Sequence, residues 1–149
     1  MIPAVLAELD FDNVRQVVDA QLRALFSPNL GTALEDAGAM LAQSAQERIN
    51  STKTAPDGSG WAPWSAAYAA RTKSRSILLD TDRLMHAIDS FVQGDDEIHL
   101  FAETPYAAAH QFGYENIPAR PYLGVSEDDS IAIAEIIGEA FLRNFEAAA

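Results

Sequence analysis

The side chains best suited to acid–base or metal chemistry in this chain are three histidines, His86, His99 and His110. Imidazoles that hold a metal usually come in close pairs, as in His-Glu-x-x-His on a helix or His-x-His on a strand. Neither pattern occurs, and the absence of cysteine excludes disulfides, thiolate catalysis and zinc–cysteine sites. Asp57-Gly58-Ser59-Gly60-Trp61 lacks the second glycine that a Gly-x-Ser-x-Gly nucleophile elbow needs. It also lacks the Gly-Lys-Ser/Thr of a phosphate-binding loop. Carboxylates are abundant, but no motif nominates a catalytic pair. His99 falls at an outward position of a strand pattern, and His110 reads as a hydrogen-bonding helix residue. No catalytic, metal-binding or cofactor-binding residue is expected, and the chain is not read as an enzyme.

What the special-purpose residues suggest instead is docking. In Tyr106-Ala-Ala-Ala-His110-Gln111-Phe112-Gly113, a short helix stops at a glycine that can adopt positive φ. The chain continues as Ile117-Pro118-Ala119-Arg120-Pro121-Tyr122-Leu123-Gly124, where the prolines fix φ and bias Ile117 and Arg120 toward extended geometry. The result is a stiff loop presenting Arg120 and Tyr122. Arg120 then meets either a carboxylate of another subunit or an intrachain carboxylate that pins the loop. Tyr106, His110, Gln111, Arg120 and Tyr122 are candidate contact residues. The competing reading is that they fix the fold of the Gly-Pro segment.

A second cluster lies upstream. From Ser51 to Ser76 no hydrophobic period survives, and Pro56-Asp57-Gly58-Ser59-Gly60 is turn chemistry. The segment holds both tryptophans, Tyr68 and four basic residues. Aromatics beside cations make good interface anchors, so Trp61, Trp64, Arg71, Lys73 and Arg75 are further contact candidates. Alternatively one or both tryptophans fold back as a lid on the core. A period-free stretch of this length is expected to be mobile and open to proteases.

The net charge of −12 argues against wrapping DNA non-specifically. Six of the ten basic residues nevertheless fall between Arg48 and Arg83, against three acids, while the C-terminal segment is acidic. A basic middle and acidic ends allow head-to-tail pairing between copies, or are two solvated surfaces.

These clusters must be positioned by regular elements. Residues 12–26 read as an amphipathic helix with Val14, Val18, Leu22 and Leu25 on one stripe, ended by Ser27-Pro28-Asn29. A longer helix is expected over 31–50, with Leu34, Ala37, Leu41, Ala45 and Ile49 facing a core. Its Ala37-Gly38-Ala39 would admit a close neighbour. Asp80-Thr81-Asp82 caps a short helix to about His86. Ala87–Val92 and Glu97–Ala102 alternate as strands of a hairpin around Gln93-Gly94-Asp95-Asp96. Residues 104–112 form the His-Gln-Phe helix, Tyr122–Val125 returns as a further strand, and Ser126 caps a final helix to about Phe145. The expected fold is α+β in a single domain over 1–149. Long N-terminal helices and a C-terminal helix pack on a small antiparallel sheet, with a basic loop at about 51–76. Residues 1–9 lack a basic leader, and no run approaches 18 apolar residues, so neither a signal peptide nor a membrane span is expected.

The two proline-bracketed motifs, with Pro56-Asp57-Gly58, Trp61, Trp64-Ser65, Lys73, Ile77-Leu78, Thr81, Arg83 and Leu84 in order before them, resemble the bacteriophage virion morphogenesis proteins. These are the Mu-type and P2-type tail completion family, and the likeness covers residues 48–125. One departure is Asp82, where the family usually places glycine after the threonine. The resemblance implies a non-enzymatic structural protein that completes the tail or its junction with the head. It implies a ring, sixfold like the tail tube, meeting the tail tube or terminator and head-connector proteins in a virion assembled in the host cytoplasm. Two other readings stand beside it: a connector component touching DNA through residues 48–83, and a small phage-borne hydrolase.

Overall fold

The computed structural model describes residues 11–26, 28–74 and 76–149. The readings made above for residues 1–9, Ser27 and Arg75 lie outside the described residues. In chain order the elements are α1 (Phe11–Phe26), α2 (Gly31–Glu47), a π-helical turn (Arg48–Thr52), α3 (Ala66–Ala69), α4 (Arg83–His86), β1 (Ile88–Gln93), β2 (Glu97–Ala102), α5 (Ala107–Phe112) and α6 (Glu127–Ala147). This is a single α+β domain whose contacts gather in two compact units: residues up to Asn29 with Gly138–Ala149, and Leu30–Ile137.

The larger unit is built on the hairpin. β1 and β2 pair antiparallel from Ile88↔Ala102 to Gln93↔Glu97, with Gly94 at φ 65° in the turn. Alternation puts Ile88, Ser90 and Val92 opposite Ala102, Leu100 and Ile98 on one face. That face takes α2. The approach is close because Gly38 has no side chain: a Cβ there would sit 2.7 Å from Ser90 Oγ and 3.3 Å from Ile98 Cγ2. The core continues through Ala45 and Ile49 of α2 and its π turn to Trp61, Leu84, Ala107 and Tyr122.

Residues 53–62 are organised by backbone hydrogen bonds rather than by a hydrophobic period. Lys53 takes a left-handed conformation (φ 55°) that ends the π turn. Ala55 N then donates to Ser59 O (2.8 Å) and Trp61 N to Lys53 O (3.0 Å). The chain folds back on itself and delivers the Trp61 indole to the core. Two expectations fail. Tyr122–Val125 is no strand, because the partners of its backbone are side chains, described below. On α1, core packing is not found among the described residues of the stripe: Val18, Leu22 and Leu25 stay exposed.

Candidate functional site

One groove of about 1070 Å³ is walled by three segments of the larger unit. The first is 63–71 with α3, the second Ser74 with 76–84, and the third α5 with the loop 116–120. The first wall is aromatic. Ser65 caps α3, its Oγ accepting from Tyr68 N (3.2 Å), and so places Tyr68 one turn beyond Trp64. The two rings meet edge-on with centroids 5.8 Å apart, and the Arg71 guanidinium lies 6.0 Å from the Tyr68 centroid. Side-chain hydrogen bonds to Thr72 and Ser74 hold the Tyr68 phenol below its ordinary pKa. Across the groove, Tyr106, which caps α5, and His110 within it form a second edge-on pair at 5.8 Å.

Arg120 ties these walls together, although not as expected. It is buried, and its Nε donates to Ala62 O (2.8 Å) and its Nη2 to Pro63 O (3.0 Å). Its own N–H donates to His110 O (2.7 Å). Within the chain its side-chain partners are two backbone carbonyls, not the carboxylate that an intrachain salt bridge would supply. Gly113 makes this loop possible: at φ 79°, a Cβ would lie 3.1 Å from both Ala119 N and Ile117 O. Burial, reinforced by the charge of Arg120, lowers the pKa of His110, so its ring is neutral at pH 7. His110 Nδ1 is buried without a hydrogen-bond partner, so no carboxylate orients the ring as in a catalytic triad.

Behind the groove sits a cradle for the Tyr122–Gly124 backbone. The Gln111 side chain acts as a neighbouring strand would: Oε1 accepts from Tyr122 N (3.0 Å) and Leu123 N (2.9 Å), and Nε2 donates to Leu123 O (3.0 Å). Arg48 Nη1 donates to Tyr122 O (3.0 Å) and Gly124 O (3.3 Å). Its Nη2 donates to Ser44 Oγ (3.1 Å) and pairs with Asp129 Oδ2 at 2.6 Å. Asp129 also closes a capping box with Ser126, accepting from Ser126 N (2.9 Å) while its own N–H donates to Ser126 Oγ (3.1 Å). Burial pushes the Asp129 carboxyl up. The hydrogen bonds from Ser126, Ser44 and Arg48 together outweigh that and leave it below the usual value. The Tyr122 hydroxyl donates to Ala107 O (3.1 Å), and burial, with Tyr106 adding, raises its pKa to about 12. Trp61 Nε1 donates to Pro121 O (2.8 Å).

The ten candidate contact residues therefore separate. Trp64, Arg71, Tyr106, His110 and Arg120 line one groove. Trp61 and Tyr122 are core residues, and Gln111 spends its amide on the chain's own backbone. Lys73 is exposed and is not among the residues lining the groove, and Arg75 lies outside the described residues. Of the basic stretch, Arg48 is buried, and Lys53 Nζ donates to Ile49 O and Ile77 O. The pair Arg48–Asp129 was missed. Its signals were an arginine seven residues after Leu41 on the apolar stripe and the Ser126-x-x-Asp129 box. Tyr68 was detectable from Ser65-x-x-Tyr68 beside Trp64.

Among the described residues no group of histidines and carboxylates could hold a metal, and no helix is long and apolar enough to cross a membrane. A model of the phage virion morphogenesis family matches residues 9–142. No curated protein and no solved structure matches the chain.

Proposed function

Because the chain belongs to the phage virion morphogenesis family, we propose that it completes the phage tail and forms the tail's junction with the head. Membership of that family makes the role one of virion structure or assembly. The finer reading rests on the groove: an aromatic-walled recess whose 113–124 loop is held from behind by Arg120 and Gln111. Such a surface suits recognition of a partner protein, with binding free energy rather than bond-making driving the step. Its partners are other copies of the chain in a ring, the tail tube or terminator, and the head connector, so its place is the virion's tail or neck. A DNA contact through residues 48–83 is less well supported, because Arg48 and Lys53 are turned inward.

The test is electron microscopy of lysates after the gene is inactivated in its phage or inducible prophage. Filled heads accumulating beside unattached tails, rescued by the wild-type gene and not by Trp64→Ala, are expected. Intact infectious particles without the gene would overturn the reading.

A further inference from the structure

The outward face of the hairpin is acidic and aromatic, opposite in charge to the arginine-bearing groove. On that face Asp89, Phe91 and Gln93 stand opposite Phe101, His99 and Glu97. The Phe91 ring stacks on His99 with centroids 4.7 Å apart and rings 6° from parallel, and it tilts against Phe101 at 5.8 Å. Even so, Phe91 remains 49% exposed. The patch is rimmed by Asp89, Asp95, Asp96, Glu97 and Glu103, and no Lys or Arg occurs between Arg83 and Arg120. The groove has the opposite character. Its walls are apolar and aromatic, and its arginines, Arg71, Arg83 and Arg120, outnumber its carboxylates, Asp80 and Asp82. Lys73 is exposed close by in sequence. In a chain of net charge −12, most approaches between copies are repulsive. An acidic aromatic face meeting an arginine-bearing aromatic groove is the orientation in which that repulsion is locally reversed.

We infer that the hairpin face of one copy docks in the groove of a second copy, head to tail, with Phe91 as the anchor. Aromatic anchors in desolvated recesses carry most of the energy of such contacts, while rim charges set orientation and rate. Because the two surfaces differ, pairing leaves one groove and one hairpin free, and the array grows until it closes. The inference rests on the assembly reading above for the presence of neighbouring copies. A monomeric chain that still restores joining of heads and tails would remove this docking mode and leave that reading intact.

The experiment is sedimentation velocity on the full chain over a wide concentration range at low and high salt. Self-association that weakens with salt is expected. Arg71→Glu in the groove, and Phe91→Ala or the pair Asp95→Lys with Asp96→Lys in the hairpin, should each weaken it at least about tenfold. Circular dichroism establishes that each variant is folded, and the charge-reversed pair stands in if Phe91→Ala is not. The decisive arm mixes Arg71→Glu with a folded hairpin variant. One supplies an intact hairpin and the other an intact groove, so the mixture should form heterodimers and stop there. A wild-type monomer throughout, variants that associate like the wild type, or folded variants that fail to pair in the mixture would each overturn the inference.

Discussion

The cradle behind Tyr122–Gly124 and the rim of the groove use the same residue types in opposite ways. In the cradle, Arg48 answers two backbone carbonyls, a serine and a carboxylate, and Gln111 answers three backbone groups. Trp61 is buried there with its indole N–H on Pro121 O. On the rim, Trp64, Tyr68 and Arg71 contact one another and keep open surface. Two tryptophans three residues apart thus belong to different regions. Burial of a polar side chain is stable only where a partner waits for it, and in the cradle that partner is mostly main chain. The cradle sets shape, and the rim is free to bind.

The hardest blow to the cradle is Asp129→Ala. It leaves the Arg48 guanidinium buried and uncompensated, and removing one partner of a buried ion pair costs about 3–5 kcal/mol. Urea unfolding should register that loss, and a change under about 1 kcal/mol would mean water reaches Arg48. The same carboxylate gives a pH signature. Its folded pKa is depressed, so the unfolded chain binds more protons between the two pKa values, and stability rises with pH there. The contribution is complete above the unfolded value of about 3.9 and is lost as pH falls through the folded one. Asp129→Asn should flatten stability between pH 5 and acid relative to the wild type.

The two tryptophans sharpen the contrast. Trp61→Ala opens a cavity in the core and should cost about 3–5 kcal/mol. Trp64→Ala should cost about 1 kcal/mol or less while abolishing rescue of joined particles. Equal losses of stability would erase the distinction between cradle and rim. Gln111→Leu comes next. It keeps the bulk but leaves the Tyr122 and Leu123 N–H groups without their acceptor, a loss of about 2–4 kcal/mol. Amide exchange at those two positions should accelerate along with it.

Much of the frame was legible in the sequence because it is periodic. α2, the hairpin, α5 and α6 fall within a few residues of their expected bounds, and Ala37-Gly38-Ala39 marked where the sheet comes close. What was not legible depends on contacts across long stretches of chain. Tyr122–Val125 reads as a returning strand, yet its ladder is made by the amide of Gln111 and the guanidinium of Arg48, which no local pattern encodes. Trp61 and Trp64 look alike until a carbonyl 60 residues away claims one of them. Arg120 shows the limit from the other side. The prolines correctly announced a stiff arginine, but composition offered carboxylates as its partners and the fold supplied carbonyls.

The smallest predicted effect sits on the rim, where constraint runs through backbone rather than side chain. Asp82 lines the groove at φ 61° and ψ 1°, the left-handed conformation, immediately before α4. The departure from glycine at this position therefore keeps the turn, since aspartate is among the residues that tolerate left-handed φ. Replacing Asp82 by glycine or by alanine removes the same side-chain interactions, so the two variants differ mainly in the backbone term. The glycine variant should be the more stable of the two by about 1 kcal/mol in urea unfolding. Both should keep the cradle intact by near-ultraviolet circular dichroism. An alanine variant as stable as the glycine one would mean the turn rearranges at little cost. The rim would then be shaped by its partner on docking, and not set in advance by the scaffold behind it.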